Sequence, residues 1–64
     1  MNKTYKAITT TIVDALNEVE DFTIKMDNFI KRNPEFEYKI FITKNDKSIY
    51  TIELNVIRNE PKYN

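Results

Sequence analysis

The chain has 64 residues, ten basic and ten acidic, and contains no Cys, His or Gly. Without Cys or His there are no disulfides, no common zinc sites and no catalytic triads or dyads built on those residues. Without Gly there are no phosphate-cradling or dinucleotide-binding turns. Zero net charge argues against a nucleic-acid binder that works by neutralising phosphates. A chain this short buries only about 60% of its unfolded surface, so it forms a single, marginally stable domain for which self-association is the available reinforcement.

From Thr4 to about Val19 the apolar residues Tyr5, Ile8, Ile12, Ala15, Leu16 and Val19 recur at spacings of three and four. That periodicity predicts an amphipathic helix, with Asn2 or Thr4 as its N-cap. The run Thr9-Thr10-Thr11 lowers its intrinsic helix preference. Glu18, Glu20 and Asp21 sit where its end would fall. They are the one acidic cluster that could attract a hard cation, but adjacent acids at a helix end read as exposed charge, and no metal or other cofactor is expected.

Residues 22–32 are ambiguous. Phe22, Ile24 and Met26 alternate with Thr23, Lys25 and Asp27 as in a strand, while Phe22, Met26, Phe29 and Ile30 have helical spacing. Register arithmetic favours the strand: with Ile42 facing Tyr50, Lys39 opposes Glu53, and a turn at Asn33-Pro34 adds Asp27 to form a row of alternating charge. Asn28 then falls on the inner face, and a β-bulge there would turn it outward.

Two alternating runs, Phe36–Thr43 and Ile49–Arg58, flank the polar segment Lys44–Ser48 and predict a β-hairpin. In the absence of Gly, Asn33, Asn45 and Asp46 are the residues expected to supply turns, because Asn and Asp tolerate positive φ. Residues 59–64 show no periodicity and read as a flexible tail after a domain at 1–58. The expected fold is α+β, with one N-terminal helix packed on an antiparallel three-stranded meander in the order α-β-β-β. Its inner face would carry Phe22, Ile24, Met26, Ile30, Phe36, Tyr38, Ile40, Ile42, Tyr50, Ile52, Leu54 and Val56.

The outer face of that sheet is less polar than a solvated face should be. Phe29, Phe41, Ile49 and Ile57 lie on it with Lys39, Thr51 and Glu53, and these seven residues form the candidate partner-binding surface. The third strand, ending the meander and free of Pro, offers an edge for a homodimer or a partner strand, and the outer face offers a second route to a dimer. Asp27 and Glu53 would be the best carboxylate pair for catalysis, but Lys39 lies between them, and no enzyme activity is expected. Lys44 and Lys47 form a small basic spot, yet acids interleave with the sheet's lysines, so nucleic acid is disfavoured as a partner.

No apolar run after Met1 has signal-peptide length and no stretch spans a membrane, so the expectation is a cytoplasmic protein with no membrane contact. Eight Asn, nine Ile and eight Lys, all with AT-rich codons, associate the chain with phages or mobile elements. The sequence therefore points to a small non-catalytic protein-interaction module, such as an inhibitor that sterically blocks a host protein. A small nucleic-acid-associated regulator is the alternative.

Overall fold

In the computed structural model, which describes residues 2–59, the elements run β1 (Lys3–Thr9), α1 (Ile12–Arg32), β2 (Phe36–Lys44) and β3 (Tyr50–Arg58). The α+β class, with one helix on an antiparallel three-stranded sheet, is as expected. The order of elements is not: a strand precedes the helix, and residues 22–32 are the second half of that helix.

The threonine run explains the first difference. Tyr5 and Ala7 point to one face and Thr4, Lys6 and Ile8 to the other, a period of two that the three-and-four spacing of Tyr5, Ile8 and Ile12 obscures. Thr11 then takes an extended backbone, φ −130° and ψ 152°, and its Oγ1 accepts the Asp14 N–H at 3.1 Å. Thr11 is thus the N-cap, in place of Asn2 or Thr4. Thr9–Thr11 is the joint between strand and helix rather than a weak stretch within a helix.

Helical spacing prevails over alternation in 22–32 because it continues one stripe. Ala15, Val19, Phe22, Met26 and Ile30 follow at intervals of four, three, four and four, and Ala15 and Met26 are buried. Ile24, placed on the inner face by the strand reading, is 53% exposed on the outside of the helix. Asn28, awkward in a strand, is exposed on a helix turn and needs no bulge. Lys31 and Arg32 occupy the last turn, where cations suit the macrodipole. Asn33 ends it: its N–H reaches the Phe29 and Ile30 carbonyls at 3.0 and 3.1 Å, and its Nδ2 donates to Phe29 at 2.9 Å. Pro34 cannot continue the helix.

β2 and β3 form the expected hairpin, but with Ile42 opposite Ile52 rather than Tyr50. The slip is two residues, so every side chain keeps its face. Lys39 now opposes Asn55, and Phe41 opposes Glu53. The charge row is therefore absent; Glu53 instead meets Lys6 of β1 at 3.7 Å, and Asp27 lies on the helix.

The turn sets this register. Asn45 Oδ1 accepts the N–H groups of Lys47 and Ile49 at 2.9 and 3.0 Å, and the Ser48 N–H donates to the Asn45 carbonyl at 3.2 Å. Asn45 works through its side chain, while the positive φ, 59°, falls on Ser48 rather than on Asn33, Asn45 or Asp46. A Cβ in the left-handed region is unfavourable, so Ser48→Gly is expected to raise stability by about 0.5–1 kcal/mol after the added freedom of the unfolded chain is deducted. Thermal unfolding followed by circular dichroism measures this; an unchanged or lower midpoint would show that the loop carries no strain.

The strand order is β1-β3-β2, so β3 is the central strand, paired on both sides. This corrects the expectation of a free third-strand edge: the edges are β1 and β2. Ile52 is fully buried, and Leu54 and Val56 nearly so. Their alternation on a strand covered by the helix places the core there. Met26, Leu54 and Val56 form its centre, with Phe22, Ile30, Phe36, Tyr38 and Ile40 packed around them.

The 21-residue helix and the nine-residue strands β2 and β3 both extend about 30 Å, so α1 is long enough to reach from one end of the sheet to the other. Its N-terminal half is the less covered, leaving Ile12 and Leu16 exposed. Asn59, the first residue of the expected tail, donates its N–H to the Glu35 carbonyl at 2.7 Å, and residues 60–64 lie outside the described residues. No helix among the described residues is long and apolar enough to cross a membrane.

Candidate functional site

The helix leaves part of both sheet edges open: Ile42, on the inner face of β2, is 43% exposed. On the β2 side, the half-buried Tyr38 donates its hydroxyl proton to Asp27 Oδ1 at 2.9 Å, bridging β2 and α1. The hydrogen bond to Asp27 holds the Tyr38 phenol above the usual tyrosine range, aided by desolvation and by the Asp27 charge. On the β1 side the inward positions are Lys3, Tyr5 and Ala7, which oppose Val56, Leu54 and Ile52. Tyr5 remains 45% exposed.

An open apolar groove of about 560 Å³ results, running between β1 and α1. Its floor is Leu54 and Val56, its helix wall Phe22, Met26 and Phe29, and its strand wall Tyr5, with Phe36 at one end. Phe29 and Phe36 meet edge to face, ring centroids 5.1 Å apart, which fixes the aromatic end of the wall. Lys3 and Lys25 complete the lining. The Lys3 ammonium stands 5.8 Å from the centre of the Tyr5 ring, so its charge is held beside the groove. Beyond Lys25 and Phe29, which they share, a second recess is formed with Asn28, Lys31, Arg32 and Asn33. Among the described residues no carboxylate lines either cavity.

β1 is also an edge strand, so one side of its backbone is unpaired by the sheet. Among the described residues no strand pairs with that side, so a row of N–H and C=O groups open to a further strand lies beside an apolar trough. That combination accepts an extended chain: backbone groups bond to the edge, and alternate side chains enter the trough.

The seven residues expected to bind a partner are dispersed. Phe29 lines the groove, on the helix. Lys39, Phe41, Thr51, Glu53 and Ile57 share the outer sheet face, and Ile49 closes the hairpin turn. On that outer face the apolar groups do not join. Phe41 lies opposite Glu53, Ile57 opposite Glu37, and Ile8 opposite Thr51. Polar neighbours thus separate them, and single exposed apolar residues are ordinary on a sheet.

The groove residues Tyr5, Phe22, Met26, Lys3, Lys25 and Phe36 are not among the seven. The alternation of Tyr5 and Ala7 with Thr4 and Lys6 was the signal available for β1, but nothing local pairs that strand with β3, about fifty residues away. Glu18 and Asp21, three residues apart, share one side of the helix, and Glu20, about 100° or more from each, points away from them. No three Asp or Glu residues among the described residues are placed to hold a metal ion. Comparison with protein-family models, curated proteins and solved structures found no match to this chain.

Proposed function

We propose that this chain is a non-catalytic interaction module that captures an extended segment of a partner protein along β1. The observation that carries this reading is the apolar, aromatic-walled groove beside an unpaired strand edge. Strand addition supplies sequence-independent backbone hydrogen bonds, and the groove selects apolar side chains at alternate positions. Occupying a partner's segment in this way blocks its other contacts, so the consequence is steric inhibition. The cations beside the groove border apolar walls and form no continuous track for a phosphate backbone, which sets the nucleic-acid reading second.

The test is fluorescence anisotropy with labelled peptides of about ten residues, apolar at alternate positions, the length of a long strand. Phe29→Asp or Tyr5→Asp is expected to weaken binding about thirtyfold or more, the loss of one aromatic anchor worth about 2 kcal/mol. Phe41→Asp, on the outer face, should bind like the parent. Hydrogen exchange at the β1 amides should slow in the complex. Loss of binding in Phe41→Asp with retention in Phe29→Asp would transfer the function to the outer face, and tighter binding of a labelled oligonucleotide than of any peptide would favour the nucleic-acid reading.

A further inference from the structure

We infer that the segment docked on β1 runs antiparallel to it and delivers a carboxylate at its C-terminal end to the recess formed by Lys25, Lys31 and Arg32. This inference rests on the strand-addition reading above and specifies its direction and chemistry. The geometry begins with Lys3, which starts β1 and lines the groove together with Phe29 and Phe36. The N-terminal end of β1 therefore lies at the same end of the molecule as the last turn of α1. The basic recess continues the groove there, since Lys25 and Phe29 line both.

A chain added antiparallel to β1 ends beside Lys3 with its C-terminus; a chain added in parallel begins there with its N-terminus. Four cations, Lys3, Lys25, Lys31 and Arg32, stand around that end, and among the described residues no carboxylate lines either cavity. They repel an N-terminal ammonium and attract a C-terminal carboxylate or acidic side chains close to it. The partial negative charge of the helix C-terminus opposes this by only about half a unit, and Asn33 already occupies the Phe29 and Ile30 carbonyls. Antiparallel addition also continues the pairing present throughout this sheet and is the slightly stronger form per residue. The partner segment is thus amphiphilic: alternating apolar side chains in the groove, followed by a carboxylate.

Three peptide probes test this in the parent protein: one with two aspartates and a free carboxylate at the C-terminal end, the same sequence reversed, and a C-terminal amide with asparagines in place of the aspartates. The first is expected to bind about tenfold more tightly than the other two at low salt, an advantage that shrinks as ionic strength rises. The double variant Lys31→Gln with Arg32→Gln, in the recess and outside the groove, should erase that advantage by weakening the first probe to the affinity of the amide probe, and Lys31→Arg should keep it. Equal or tighter binding of the reversed probe overturns the inferred direction, and equal binding of the amide probe overturns the carboxylate, both with the strand-addition reading intact. Failure of all three probes to bind overturns both. Displacement of the peptide by dodecanoate at lower concentration than by unlabelled peptide would assign the site to a fatty acid and overturn a protein partner.

Discussion

Leu54→Ala is expected to remove most of the stability of the domain. Leu54 lies on the central strand, 4% exposed, and packs with Met26 and Val56 at the centre of the core. Truncating a buried Leu costs about 2–5 kcal/mol, combining lost transfer energy with the cavity left behind. A domain of this length has only about 3–10 kcal/mol in total. The few buried residues leave little to collapse into the gap, so the cost should fall toward the upper end. In urea unfolding followed by far-ultraviolet circular dichroism, the midpoint should fall by half or more, or the variant should be unfolded without denaturant. The exposed Ile8→Ala supplies the reference. A Leu54→Ala midpoint no lower than that reference would mean the core is not centred on β3.

The second large effect is at Ile24, where helix and strand make opposite demands. In the helix its side chain is exposed, so Ile24→Ala should change stability by no more than about 0.5 kcal/mol, in the stabilising direction, because Ala is the better helix former. Ile24→Pro removes a mid-helix hydrogen bond and places its ring against the preceding turn, at a cost of about 3 kcal/mol or more. Residues 22–32 as an inner-face strand would invert the first result, since Ile24→Ala would then open the core at about 2–5 kcal/mol. Both variants are read from the same urea transitions, and a large loss in Ile24→Ala would refute the helix.

The contrast between those outcomes shows why 22–32 was hard to read. Phe22, Ile24 and Met26 satisfy a period of two, and Phe22, Met26 and Ile30 satisfy 3.6; a short window holds both. The choice is made by residues outside it. Ala15 and Val19 extend the helical stripe upstream, and β1 supplies the third strand of the sheet, on the far side of β3 rather than beside β2. The candidate site suffered in the same way. Alternation puts Phe29 on an outer sheet face; it lines the groove instead, on a helix and beside Tyr5 and Phe36 rather than Phe41.

Local periodicity is enough to specify the hairpin, its faces and the content of the core strand. A period of two in Phe36–Thr43 and Ile49–Arg58 depends only on local backbone geometry, and a register error of two residues leaves it intact. Composition also excludes chemistry that needs Cys, His or Gly. Contacts between distant segments set which of them pairs with β3, which strands are edges, and where the groove lies. Those are competitions for one surface between segments far apart in the chain. They are settled by how much apolar area each arrangement buries, a quantity that no local pattern contains.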